Sequence, residues 1–209
     1  MAVLTVVLAP RGLEGVRSVL HDWAATALVD DFVWAQPGDE VLRDVDCLHV
    51  KGGNLCGTTL RAAIADGDVE RVQLCSVVPL FGSATPLSTS VEQRIAEMLA
   101  TTGVPLVRAR LVVPLPGGAP SPVPLALEGW NNFVLSPDER TGPRTAGIAV
   151  SDDDPWRLDV HIAQSVAGLL GLWVGVEVPA NEWQPVPGAN ARMVSSYYRR
   201  LVGDEAESS

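Results

Sequence analysis

Lysine is nearly absent from this chain: of fifteen basic residues only Lys51 is one, and the other fourteen are arginines. Bases of either kind are few against twenty-five acids, which leaves a net charge of −10 over 209 residues. Phosphate contacts need clustered Lys and Arg, so that field repels a polyanion. The net charge is −6 over residues 1–70, +1 over 71–150 and −5 over 151–209, and no basic stripe hides inside the acidic total. Nucleic acid is not an expected partner.

Cysteine and histidine are scarce too. Cys47, Cys56 and Cys75 are an odd number with no Cys-x-x-Cys, and His21, His49 and His161 are scattered. This excludes a disulfide scaffold and the zinc motifs, and fits a reduced, cytoplasmic setting. Long hydrophobic runs are missing as well. The apolar opening Met1 to Ala9 lacks a basic flank and is too short to span a bilayer, and the run Val166 to Val176 carries three glycines. No membrane association is expected.

What the chain has is apolar residues, 47% of the total. A globule of this length hides roughly 70% of its unfolded surface, enough for a core. Collagen, coiled coil and wholesale disorder are excluded. One domain is expected over residues 1–203, followed by an acidic tail at 204–209.

Val3 to Leu8 is a continuous β-branched run, as in a strand covered on both faces. Leu13, Val16, Leu20, Trp23 and Ala27 follow at spacings of 3 and 4, one stripe of an amphipathic helix. Phe32 to Ala35 reads as a second strand. A third, near Asp46 to Val50, starts about ten residues later, too soon for an ordinary parallel return, so the two are either antiparallel neighbours or joined by one cramped turn around Val41-Leu42. Leu60 to Ala65 predicts a short helix and Val69 to Leu80 a strand. Val91, Ile95, Met98 and Leu99 form a helix stripe, with Thr89 and Glu92, or Ser90 and Gln93, as the capping box. Leu106 to Val113 is a strand with Arg108 and Arg110 on one face. Residues 114–124 hold five prolines and predict a surface loop or flap. Asn132 to Ser136 and Thr145 to Val150 read as a hairpin. Asp152 to Pro155 announces a helix from Trp156 to about Trp173. A strand at 174–178 and a helix through Met193, Val194, Tyr197, Tyr198 and Leu201 complete the chain. The fold class is α/β: a mixed, mostly parallel sheet of about five to seven strands with helices on both faces.

The most suggestive stretch is Lys51-Gly52-Gly53-Asn54-Leu55-Cys56-Gly57-Thr58-Thr59, which follows a strand and precedes a helix, the context an anion-cradling loop needs. Gly52 and Gly57 have the gap of a phosphate loop, and Thr59 stands where a metal-binding hydroxyl would. Thr58 occupies the lysine position, so nucleotide hydrolysis is not expected. Lys51, Gly52, Gly53, Gly57, Thr58 and Thr59 remain candidates for cradling a small anion, with Arg108 or Arg110 as a clamp. Cys47 and His49 share one side of a strand, but side chains so placed seldom meet in attack geometry. The Asp152 to Asp154 run lacks calcium-loop spacing and is explained by capping. No Gly-x-Ser-x-Gly elbow occurs. No catalytic residue, metal or cofactor is assigned.

Trp130, Trp156 and Trp183 lie in loop-like or helix-start settings, where tryptophan buries much area on a partner. The leading expectation is therefore a non-catalytic interaction or scaffolding module in a larger cytoplasmic assembly, joined to a protein partner or to further copies of itself. The alternative is an enzyme or sensor for a small anionic ligand such as a nucleotide or phosphate, held at residues 51–59.

Overall fold

A computed structural model describes residues 2–38, 44–80, 84–115, 122–135, 155–175, 184–185 and 190–194. In chain order the elements are β1 (Ala2–Leu8), α1 (Glu14–Ala25), β2 (Phe32–Ala35), β3 (Asp46–Lys51), β4 (Asn54–Thr59), α2 (Leu60–Ala65), β5 (Val69–Pro79), α3 (Thr89–Ala100), β6 (Leu106–Val113), β7 (Asn131–Leu135), α4 (Pro155–Leu169), β8 (Gln184–Pro185) and β9 (Arg192–Val194). All the described strands join one mixed sheet in the order β4-β3-β2-β1-β5-β6-β7-β9-β8. Seven of them, β1 to β7, have four or more residues and form its body. The pairs β1–β2, β1–β5, β5–β6, β6–β7 and β7–β9 are parallel, whereas β2–β3, β3–β4 and β8–β9 are antiparallel.

Alternation along the strands splits the core into two layers. On β1, Val7 faces a cluster with Val16 and Leu20 of α1 and Ile162 and Val166 of α4. Its neighbours Val6 and Leu8 face the opposite cluster, with Leu60 of α2 and Val91, Ile95 and Leu99 of α3. Helices thus cover both faces. Among the described residues no helix is long and apolar enough to cross a membrane.

Several expectations need correction. The stretch after β3 is not a loop leading into a helix: Gly52 and Gly53 form a two-residue turn and Asn54–Thr59 returns as a strand. The cap of α3 is Ser88, whose Oγ accepts from the Val91 amide, one residue before the expected box. Met193 and Val194 belong to β9, parallel to β7, rather than to a helix. Periodicity cannot separate the two readings of so short an apolar run, and pairing with Phe133 to Leu135 decides it. Val174 and Gly175 form a turn. The expected strand Thr145 to Val150, Asp152 to Asp154, residues 176–178, Tyr197 to Leu201, the tail at 204–209 and most of the Pro-rich segment lie outside the described residues.

The carboxyl ends of α1 and α4 are built alike. Leu28 N–H donates to the Trp23 carbonyl and Ala27 N–H to that of Ala24, while Leu172 N–H reaches Ala167 and Gly171 N–H reaches Gly168. Both are Schellman caps with a left-handed residue at the turn, Gly171 (φ 60°) in α4 and Ala27 (φ 56°) in α1. The two exits then pair antiparallel, Val29 opposite Trp173, and Trp23 and Trp173 lie with ring centroids 5.1 Å apart. Ala27 carries a Cβ where glycine is favoured, at a cost near 1 kcal/mol. Ala27→Gly should therefore stabilise the chain by about 0.5–1 kcal/mol, read as a higher urea midpoint at unchanged slope. A lowered midpoint would contradict this account of the cap.

Candidate functional site

The residues proposed to hold an anion do not converge. Because β3 runs against β2, Lys51, Gly52 and Gly53 sit at the amino ends of the parallel strands, beside Phe32. β4 then runs back, which carries Thr58 and Thr59 about 20 Å along its length to the carboxyl-end side. Arg108 and Arg110 are on β6, five strands away from β4 in the sheet order, about 24 Å at strand spacing. Open α/β sheets bind ligands outside the carboxyl ends, so the Gly-Gly turn is at the wrong edge for that mode. No single anion could touch both arginine and turn.

Several of the pieces are instead engaged within the protein. The Gly52 N–H donates to Asp31 Oδ1 at 2.7 Å. His21 Nε2–H donates to the Gly53 carbonyl at 2.9 Å, which docks the turn on α1. Both glycines have positive φ, 53° and 73°, as a tight two-residue hairpin turn requires. Thr59 Oγ1 accepts from Ala62 N–H and so caps α2, and Asp44 Oδ1 accepts from Val45 and Arg61 N–H. Gly57 is on an exposed strand with nothing within 4 Å of where a side chain would begin.

Arg110 is fully buried. Its Nε donates to both carboxylate oxygens of Glu92 of α3, at 3.0 and 3.2 Å, and its Nη1 donates to the Pro124 carbonyl at 2.6 Å. It stands in register with Ser76 of β5 and Asn132 of β7, a polar row on the α3 face. Arg108 lies one turn of the pleat away, its guanidinium against Gly129. Neither guanidinium is placed as a clamp for the 51–59 stretch.

The position where a doubly wound sheet binds phosphate, the loop after β1 leading into α1, is likewise filled from within. Gly12 N–H donates to Glu14 Oε2 at 2.9 Å and to Oε1 at 3.2 Å, and Gln36 Nε2–H also reaches Glu14 Oε1. Backbone hydrogen bonds from Glu14 itself and then Gly12 hold this carboxyl below the ordinary glutamate range. Behind it, Asp159 of α4 packs against Gly15, where a side-chain methyl would overlap the Asp159 carboxylate. Burial raises that carboxyl above the aspartate range.

The thiols divide by depth. Burial pushes both Cys47 and Cys75 up to about 12, with Asp44 and Asp46 adding to the effect at Cys47 and Glu92 at Cys75. They are protonated core residues at neutral pH. Cys56 is exposed on β4 and stands opposite His49 of β3, a pairing invisible until the hairpin register is known. No group of His, Cys, Asp and Glu suited to a metal ion occurs among the described residues.

Of the three tryptophans expected at an interface, Trp130 is buried, 6% exposed, with its indole N–H donating to Gln93 Oε1. It lids the core under the 122–130 segment rather than facing a partner. Trp156, at the start of α4, is 54% exposed, and Trp183 lies outside the described residues. The surface that sequence reasoning missed is β4 itself. It is the outer strand of the sheet, with Asn54 to Gly57 all exposed, including the Leu55 side chain. A Gly-Gly pair between two short runs is a hairpin signal and could have found it.

Comparisons with protein-family models, with curated proteins and with solved structures give no match for this chain.

Two predictions follow from the engaged pieces. At Gly53 a methyl would lie 2.6 Å from the Ala25 Cα and would hold a side chain at positive φ, whereas Gly57 is open. Gly53→Ala should cost about 2–3 kcal/mol and Gly57→Ala within about 0.5 kcal/mol by urea unfolding, and equal costs would remove the docking argument. Glu14 and Asp159 should respond to pH with opposite signs. The lowered pKa of Glu14 contributes stability that is present above its unfolded value and lost as pH falls through the folded value. The raised pKa of Asp159 gives stability below its unfolded value that is lost as pH rises through the folded one. Glu14→Gln should lower, and Asp159→Asn raise, the urea midpoint at neutral pH, and both differences should shrink in acid. A midpoint shift of the same sign for both would contradict the assignment.

Proposed function

We propose that this chain is a protein-interaction module, non-catalytic in itself, that serves a larger assembly in a reducing, cytoplasmic setting and docks a protein along β4. The observation that carries this reading is the character of that edge. Natural sheets protect outer strands with lysine, proline, bulges or a covering element, because a bare edge templates further strands. β4 has none of the first two: its sequence is Asn-Leu-Cys-Gly-Thr-Thr, without charge or proline. Leu55 on it is 46% exposed. α2, which follows directly, packs toward β2 and β3 as well as β4.

The edge strand at the other end of the sheet, β8, has two residues, one of them Pro185. That contrast makes β4 the natural docking edge for strand addition, in which main-chain hydrogen bonds supply affinity. The reading of residues 51–59 as an anion site has less support, since those residues face two ends of the sheet and their polar groups serve the hairpin and α2.

Affinity capture from native extract tests the reading, with the wild-type chain compared against Gly57→Lys. The lysine places a charge on the edge at a position open to a side chain. Proteins retained by the wild type should be lost from the variant while its unfolding midpoint stays unchanged. Retention that is identical for both, or absent from both, would overturn the proposal.

A further inference from the structure

We infer that Cys56, His49 and Lys51 form a thiol-exchange site, at which Cys56 reacts with small disulfides that carry carboxylates. The inference goes beyond the docking proposed for β4 and does not depend on it.

The hairpin register assembles the three groups. β3 and β4 pair antiparallel, with His49 opposite Cys56 and Lys51 opposite Asn54. Opposite residues share a face of the sheet, and so do residues two apart on one strand. One face therefore presents Cys47, His49 and Lys51 from β3, and Thr58, Cys56 and Asn54 from β4. Its Cys47 end is buried in the cluster that holds Leu60 and Ala63 of α2. From there the face opens: His49 is half-buried, and Lys51 and Cys56 are exposed. Cβ atoms of opposite residues stand about 4.5–5.5 Å apart, which puts imidazole and thiol within reach of each other. Lys51 is diagonal to Cys56, at about 7–8 Å, a gap that its four-carbon stem spans.

The neighbouring charges leave this set intact. Asp31 precedes β2 and falls opposite Lys51, but its Oδ1 accepts the Gly52 N–H at 2.7 Å. Asp30 and Asp46 alternate to the other face of the sheet, the side of α1 with His21 and Asp22. Asp44 and Arg61 meet at the start of α2, beyond the far end of β4. The remaining thiols do not compete. Burial pushes Cys47 and Cys75 up to about 12, and the thiol form is a poor nucleophile.

Each group has its part in the exchange. His49 takes the thiol proton as general base, and the Cys56 sulfur attacks one sulfur of the incoming disulfide. The S–S bond of the reagent breaks, and the departing thiolate receives the proton back from His49. Cys56 ends oxidised in a mixed disulfide, and half of the reagent leaves reduced as a thiol. Lys51, the one lysine of the chain, draws the carboxylates of the reagent toward this face. Reversible exchange of this kind is the use that disulfides find in a reducing compartment.

The folded chain, treated with oxidised glutathione or with the uncharged hydroxyethyl disulfide and mapped by mass spectrometry, tests the site. The expected product is a single adduct at Cys56, with Cys47 and Cys75 unmodified. His49→Gln should slow both reagents at least about fivefold at an unchanged unfolding midpoint. Lys51→Gln should slow oxidised glutathione about fivefold and leave the uncharged reagent nearly unaffected. Cys56 reacting no faster in the folded chain than in the urea-unfolded one overturns the site. So does a His49→Gln variant with wild-type rates, or a Lys51→Gln effect that is equal for the two reagents.

Discussion

The buried pair between Arg110 and Glu92 fixes how the far half of the molecule is assembled. Both side chains are wholly removed from solvent, and the same guanidinium reaches the Pro124 carbonyl. One residue on a central strand thereby joins three things that adjacency in sequence does not: the sheet, the first turn of α3, and the chain that crosses back after the Pro-rich segment. Asn132, next in the row, holds both the amide and the carbonyl of Leu127, which continues the attachment of that crossing. Breaking one partner of such a pair leaves an uncompensated buried charge, worth about 3–5 kcal/mol, whereas replacing both with apolar groups is often neutral. What the pair contributes is therefore position more than net stability. Among the described residues, Arg110 Nη2 and the Ser76 hydroxyl have no hydrogen-bond partner.

A second theme is where the acidic excess goes. Three carboxylates, Glu14, Asp31 and Asp44, accept backbone N–H groups at Gly12, Gly52 and Arg61. These are the amides that a phosphate would seek, at the entrance to α1, at the Gly-Gly turn and in the first turn of α2. Filling them from the same chain satisfies orphan donors and places negative charge at helix starts, where it is favoured. The sites that look like anion cradles in the sequence are thus already neutralised. This is the physical reason the glycine-rich stretch reads one way as a string of letters and another as a hairpin.

The layered α/β plan was legible because it rests on periodicity. The runs that became β1, β5 and β6 and the stripes of α1, α3 and α4 follow from apolar spacing alone, and the short connection before β3 already argued for its antiparallel direction. What escaped were features set by partners distant in the chain. β4, with asparagine, glycine and two threonines, has little strand preference, and pairing with β3 supplies the structure its own residues do not. Arg110 alternates with apolar residues as a surface arginine would, and only the arrival of Glu92 eighteen residues earlier makes it a core residue. Trp130 sits among turn residues, yet Gln93 and the underside of 122–130 enclose it. Sequence fixes which residues are polar; tertiary distance decides whether that polarity faces outward or inward.

These themes meet at the sheet edge. After β2 the chain has only a short connection, so β3 must return antiparallel, and the two-residue turn obliges β4 to reverse again beside it. Among the described residues no helix stands between the three strands, and α2 comes only after the last of them. The β1–β2 and β5–β6 crossovers carry α1 and α3, whereas the strands joined by the hairpin are met by α2, which follows them. The place of β4 at the outer end of the sheet is the direct consequence of that change of connection. The turn that creates it is secured by Asp31, by the His21 imidazole and by close contact with Ala25, so the strand is presented from a rigid base. A strand held in place on one side, uncharged and, among the described residues, unpaired on the other has its remaining hydrogen-bonding capacity directed outward, and glycine at its centre sets no steric limit on what approaches.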